Sequence, residues 1–198
     1  MASPEKDLER VRSALREGRA DEARTLVDEA FRAAPEDPEV RDLFAGLHLA
    51  FAIRLATEAR EARRRDIVRR NIPYDTEFRD APEVAAAFDR AAASIDEVLV
   101  VRPLDAKALM MKASLAFRRD RERGRPVALE ILSGIAEREP GNRQVAFTIR
   151  KIQVPCTGCG DSGFCPRCRG RGNRRSLGFE RECDACHGQG ICLVCGVL

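Results

Sequence analysis

All eight cysteines of this 198-residue chain lie after residue 155, and they form four C-x-x-C pairs: Cys156/Cys159, Cys165/Cys168, Cys183/Cys186 and Cys192/Cys195. Two thiolates three positions apart converge on one side of a tight turn. Two such knuckles complete a tetrahedral four-thiolate zinc site with Zn–S distances of about 2.3 Å. Eight ligands fill two sites with none left over, so two zinc ions per chain are expected. Five residues separate the first pair from the second, fourteen the second from the third, and five the third from the fourth. This palindrome predicts nesting. The middle segment, Arg169 to Glu182, carries Gly170, Gly172 and Gly178 and is expected to close as a β-hairpin, so that the inner pairs face each other and the outer pairs meet behind them. Pairing in sequence order is the alternative, although a five-residue link leaves little chain in which to reverse direction.

Disulfides and a redox-active thiol pair are the competing readings of the cysteines. The start of the chain, Met1-Ala-Ser-Pro-Glu-Lys-Asp, has no apolar segment of a signal peptide, and no stretch approaches the length of a membrane span. A reducing cytoplasmic setting is therefore expected, where disulfides are rare. Redox-active C-x-x-C motifs usually come singly beside a βαβ pattern, which is not visible here. His187 adjoins Cys186 but is surplus to eight ligands, and is expected beside the site or facing solvent.

Glycines follow the inner cysteines at set distances: Cys165-Pro-Arg-Cys168-Arg-Gly170-Arg-Gly172 and Cys183-Asp-Ala-Cys186-His-Gly188-Gln-Gly190 both read C-x-x-C-x-G-x-G. From about Val154 to Leu198 the chain resembles the cysteine-rich zinc domain of the DnaJ (Hsp40) chaperones. The resemblance implies that the first and fourth motifs share one zinc, held by Cys156, Cys159, Cys192 and Cys195, and that the second and third share the other, held by Cys165, Cys168, Cys183 and Cys186. Two motifs depart from the pattern. Asp161 stands where the first of the paired glycines belongs, and the last motif ends at Cys195-Gly196-Val197-Leu198. A looser or more exposed outer site is the expectation.

The rest of the chain lacks cysteine and is rich in Ala, Leu, Arg and Glu, with apolar residues at helical spacing such as Leu8, Val11 and Leu15. It also repeats itself. Ala23, Val27, Ala30 and Pro35 stand at the same offsets as Ala91, Ile95, Val98 and Pro103, and as Ala128, Leu132, Ile135 and Pro140. Two positions after each proline comes Asp37, Asp105 or Asn142, a suitable N-cap for a following helix. These residues resemble the tetratricopeptide repeat (TPR), a helix-turn-helix unit of about 34 residues. The fold class expected is an all-α TPR-like array of about three repeats over residues 1–152, followed by a small two-zinc β-hairpin module over residues 153–198. Pro35 and Pro103 are too far apart for one repeat, which predicts an insertion. The reading is a long helix from about Pro38 to Arg70, a loop through Asn71-Ile-Pro73-Tyr74 to Pro82, and a second helix from about Glu83. Arg143 to Ile152 is expected to cap the array. The joint Gln153-Val154-Pro155 is too short for a long tether, which favours docking of the two parts.

Function follows from the combination. A TPR array usually holds peptides or partner proteins, and the resemblance of the zinc module implies handling of non-native or partly assembled clients. The expectation is a zinc-binding, ATP-independent chaperone, co-chaperone or assembly adapter and not an enzyme, because the sequence has no P-loop, Rossmann glycine signature, G-x-S-x-G or H-E-x-x-H. Neither His48 nor His187 is followed by Pro-Asp, so the triplet with which a J domain stimulates Hsp70 is missing. Docking to the acidic tails of Hsp70 or Hsp90 is not supported either, since the Lys, Arg and Asn clamp for them is not recognisable. Phe44, Leu47, His48, Phe51, Met111, Leu115 and Arg118 are candidates for a partner-binding groove, and inter-helix core is the alternative for the apolar ones. The formal charge is +3, which two four-thiolate zinc sites would bring close to neutral. Two arginine clusters, Arg60 to Arg70 and Arg118 to Arg125, are interleaved with acids and read as solvated helix faces rather than as a nucleic-acid surface. A nucleic-acid-binding scaffold and a thiol-disulfide oxidoreductase are the other function classes considered.

Overall fold

Three helix ends of one design organise the helical part of the molecule. The computed structural model describes residues 4–75, 77–176 and 178–195. Its helices are α1 (Pro4–Arg16), α2 (Ala20–Ala33), α3 (Pro38–Arg70), α4 (Pro82–Val101), α5 (Ala106–Arg119), α6 (Arg121–Arg138) and α7 (Arg143–Gln153). Helices α2, α4 and α6 stop at Ala34, Arg102 and Glu139, which leave the helical region in nearly the same way, with φ of −143°, −131° and −129°. The next residue is Pro35, Pro103 or Pro140 in each case. A residue before proline is driven out of the helical region by the pyrrolidine ring. The following helix then starts on a side-chain cap. Asp37 accepts from the amides of Glu39 and Val40, Asp105 from Ala108, and Asn142 from Val145, satisfying donors that a helix start leaves without partners.

The repeated residues between those stops form one buried face. Ala23, Val27 and Ala30 on α2, Ala91, Ile95 and Val98 on α4, and Ala128, Leu132 and Ile135 on α6 are all at most 3% exposed. Each helix packs chiefly on the one before it and the one after it. The core is continuous from α1 to α5, around Phe44, Phe88 and Ile95, and continues between α5, α6 and α7 around Phe117, Leu132 and Val145. Gly124 is needed on α6 because a Cβ there would stand 2.1 Å from the Ala116 carbonyl oxygen of α5. Among the described residues no helix is long and apolar enough to cross a membrane.

Ala91 has no exposed surface and belongs to the core that α4 shares with α3 and its other neighbours. Replacing it with leucine inserts three heavy atoms into a filled interface. The Ala91→Leu chain is expected to be less stable by about 1–3 kcal/mol in urea denaturation followed by circular dichroism. An unchanged midpoint would mean that the core around Ala91 has room.

After α7 the chain turns back on itself as two antiparallel strands, β1 (Asn173–Ser176) and β2 (Phe179–Glu182), with Asn173 opposite Glu182 and Ser176 opposite Phe179. Both strands are largely exposed, and β2 entirely so. The hairpin therefore buries no apolar face of its own, and what holds this end of the molecule lies among the cysteines.

Candidate metal centre

The four knuckles combine in nested fashion. Cys156, Cys159, Cys192 and Cys195 bring their sulfurs within 4.8 Å of one another, and so do Cys165, Cys168, Cys183 and Cys186. Across the outer cluster the Cys156–Cys192 and Cys159–Cys195 sulfurs are 4.0 and 3.2 Å apart. Across the inner one the Cys165–Cys183 and Cys168–Cys186 distances are 3.9 and 3.7 Å. A tetrahedron with Zn–S bonds of about 2.3 Å has edges of about 3.8 Å. Both clusters fit a zinc ion, two per chain.

Nesting follows from how the links between knuckles pair. The links 160–164 and 187–191 run antiparallel, with a bridge between Phe164 and Ile191. The Cys165 amide donates to Gly190 O at 2.9 Å, and the Cys192 amide to Gly163 O at 3.0 Å. This ladder puts the first knuckle beside the fourth and the second beside the third, and the hairpin closes the inner end.

The glycine pattern has two physical causes. The amide of the last glycine in each motif points at the sulfur four residues before it: Gly163 to Cys159, Gly172 to Cys168 and Gly190 to Cys186, each at 3.3 Å. Such bonds favour the thiolate. The inner glycines also let two backbones touch. A Cβ on Gly172 would lie 2.4 Å from Gly188 O, and one on Gly190 would lie 2.3 Å from Gly170 O, a reciprocal contact that no other residue permits.

Asp161, a departure in sequence, keeps the backbone of the pattern. Its φ of 74° matches the 89° of Gly170 and the 69° of Gly188. Its carboxylate is buried and has two partners: the Cys156 amide donates to Oδ1 at 2.7 Å, and the Arg125 guanidinium donates to Oδ2. Arg125 also donates to the carbonyl of Ile152 at the end of α7. One arginine thus ties α6, α7 and the first knuckle together. Asp161 thus gives the outer cluster two hydrogen-bonded supports that a glycine would not. This cluster is the more exposed of the two, with Cys156 and Cys159 half-buried while all four inner cysteines are buried. Residues 196–198, where the last motif departs from the pattern, lie outside the described residues.

Thiols this close cannot all ionise unaided. Burial, joined by the sulfurs of Cys168, Cys183 and Cys165, pushes Cys186 up to about 12, and burial with the outer sulfurs raises Cys195 as well. At Cys156 burial opposes ionisation, but the Gly158 amide and the neighbouring sulfurs outweigh it and bring the thiol down to about 7. A divalent cation is what allows four thiolates to coexist at each centre.

The module is docked on the helices. Tyr74, in the loop between α3 and α4, donates its amide to Arg169 O at 2.9 Å and packs its ring 4.3 Å from that of Phe164. Gly170 sits so close to Ile67 of α3 that a Cβ there would stand 3.2 Å from the isoleucine methyl. Arg121 of α6 passes over Gly163 in the same way. The insertion between α3 and α4 is the seat of the zinc module, a role its sequence did not reveal. His187 is exposed and takes a left-handed φ of 48°.

The groove candidates separate. Phe44, Leu47, His48 and Phe51 are buried in the core at no more than 6% exposure. There Phe44 stacks on Phe31, and His48 Nε2 lies 2.8 Å from Asp28 Oδ1 while its carbonyl accepts from Ser94 at 3.0 Å. These contacts link α2, α3 and α4 and leave no free face for a partner. Met111, Leu115 and Arg118 instead line a cleft of about 580 Å³ between α3, α5 and α7.

If the Asp161 carboxylate holds the first knuckle in place, Asp161→Ala is expected to weaken zinc binding at the outer cluster by about 10–100-fold, as loss of a supporting hydrogen bond typically does. Competition with a chromophoric chelator would show one of the two ions leaving more readily. Two ions of unchanged affinity would make Asp161 a docking residue only.

Compared with known protein families, curated proteins and solved structures, the chain matches none.

Proposed function

We propose that the chain is a zinc-stabilised protein-binding adapter, acting as an ATP-independent chaperone or assembly factor, in which a TPR-like helical array and a DnaJ-type zinc module present one composite surface. The observation that carries this reading is the docking itself. Arg60 and Arg118 from the helices and Gly163, Phe164 and Ile191 from the zinc module line the same cleft. A metal module placed only for stability would not need to share a wall with a groove. The TPR-like reading is supported by the thrice-repeated buried face, turn and capped helix. The DnaJ-like reading is supported by nested four-thiolate centres and by glycines that donate to sulfur.

Two surfaces held in fixed relation raise each other's effective concentration, worth about 10²-fold or more in avidity when both engage together. The zinc-loaded chain is therefore expected to suppress aggregation of heat-denatured citrate synthase without nucleotide. A chain ending after Val154 is expected to do so far less well at equal concentration. Equal suppression by the shortened chain would reduce the zinc module to a cap. Reduction of insulin disulfides by the zinc-loaded protein would move the assignment to thiol-disulfide chemistry.

A further inference from the structure

The two arginine clusters of the sequence meet at the joint between the helices and the zinc module. Arg60 and Arg64 of α3 and Arg118 and Arg121 at the α5–α6 turn line a cleft of about 220 Å³, whose far wall is Ser162, Phe164 and Ile191. Most arginines nearby have carboxylate partners: Arg63 has Asp80, Arg69 and Arg70 share Asp66, Arg119 has Asp89, and Arg125 has Asp161. Among the described residues no carboxylate lies within ion-pair distance of Arg60, Arg64, Arg118 or Arg121. Glu61, the one acid on the wall, is not close enough to pair, and the oxygens of Asp161 already accept from Arg125 and Cys156. Arg60 makes hydrogen bonds only within its own helix, to Ala56 O and Thr57.

Like charges gathered in a half-buried cleft are costly unless something answers them. Arg118 bears that cost. Burial, with Arg60 and Arg121 beside it, lowers it to about 10. The outer zinc centre, about two negative charges when loaded, answers Arg121 on the side of Cys159 and Cys195. Arg60 is answered only by Glu61, at longer than ion-pair distance, and the charges beside Arg118 are the arginines Arg60 and Arg121.

We propose that this cleft binds the carboxylates of an acidic segment of a partner protein, and that the apolar cleft beside it takes a hydrophobic side chain of the same segment. This partner chemistry rests on the adapter reading above. Thr57, Arg60 and Arg118 belong to both clefts, so the two form one trough. Its apolar end has the exposed side chains of Ile53 and Phe147 together with Met111. Ile53 and Arg60 are two helical turns apart on α3, roughly 10 Å, which an extended peptide spans in about three residues. The sequence recognised therefore has an apolar residue about three positions from a run of Asp or Glu. Apolar walls at both ends favour a peptide over a nucleic acid, because the trough offers no series of exposed aromatic rings on which bases would stack.

A fluorescein-labelled octapeptide with Leu-Phe followed after two residues by Glu-Glu tests this by anisotropy on the intact zinc-loaded chain. It is expected to bind with an affinity that falls as salt rises, and its Gln-Gln counterpart about tenfold or more weaker, the usual effect of removing a desolvated charged partner. Arg118→Gln is expected to lose the same factor. Arg64→Glu, at an exposed helical position without an ion pair among the described residues, is expected to lose it with an unchanged thermal melt. Equal binding of the Gln-Gln peptide, or no effect of Arg64→Glu, would overturn the proposal. So would displacement of the peptide by a single-stranded oligonucleotide at lower concentration than by unlabelled peptide. Aggregation suppression by the unsubstituted zinc-loaded chain with no binding of the Glu-Glu peptide would reject the acidic-segment site and leave the adapter function standing.

Discussion

A chain carrying both Cys156→Ser and Cys192→Ser is expected to retain one zinc ion, whereas one carrying Cys156→Ser and Cys183→Ser is expected to retain none. The first pair of substitutions disables a single centre, the outer one, because Cys156 and Cys192 contribute to the same cluster. The second disables one ligand in each. Pairing in sequence order would put Cys156 in one centre and both Cys183 and Cys192 in the other, leaving both chains without zinc, so elemental analysis of the first chain after dialysis against a weak chelator discriminates the two schemes without reference to folding. Structural zinc sites contribute about 10–16 kcal/mol in binding, and in small modules that energy is the folding energy. Here the dependence is extreme. The buried cluster of the module consists of Cys165, Cys168, Cys183 and Cys186 themselves. Loss of the inner ion should therefore disorder the hairpin, while the helices, whose cores are apolar and separate, keep their circular dichroism. Collapse of helicity on chelation would show that Tyr74 and Arg125 couple the two parts into one cooperative unit.

The features legible in the sequence were those with a local period. The helix stops at Pro35, Pro103 and Pro140, the caps at Asp37, Asp105 and Asn142, the span of α3 and the hairpin between the inner cysteines all depend on neighbours within a few positions. The nested clusters were legible because cysteine spacing limits what a short chain can reach. Contacts between distant segments left no such trace. Arg125 and Asp161 are 36 positions apart, and an aspartate in place of a glycine looked like a defect until its partners were visible. Periodicity also could not separate groove from core on α3. The helix is packed on both sides, so Phe44 and His48 lie inward at the same helical spacing that an open groove would require. The arginine clusters read as solvated faces for the same reason. Their acids are close in sequence, but several of the pairs actually formed lie 17 to 36 residues apart.

Arg63→Ala is expected to destabilise the helical part by about 3–5 kcal/mol, the usual result of removing one partner of a buried ion pair. Arg63 is 5% exposed and every side of its guanidinium is used. Nε and Nη2 grip the two oxygens of Asp80 at 2.7 and 2.5 Å. Nη1 donates to Arg118 O at 2.7 Å and Nη2 to Arg119 O at 3.1 Å, which satisfies carbonyls that the end of α5 would otherwise leave without donors. The plane also lies 4.3 Å from the centre of the Phe88 ring. Lysine cannot reproduce a planar fork with four acceptors, so Arg63→Lys should recover less than half of the loss. Urea denaturation is expected to show a lower midpoint with an unchanged slope. Arg63→Ala combined with Asp80→Ala should cost less than the two single changes together, because the double variant buries no unpaired charge. Strict additivity, or a loss below about 1 kcal/mol for Arg63→Ala, would make the pair a surface contact of the usual small worth. Asp80 closes the loop that carries Tyr74, so the same substitution should also loosen the zinc module from α3, measurable as faster proteolysis at the Gln153-Val154-Pro155 joint with zinc still bound.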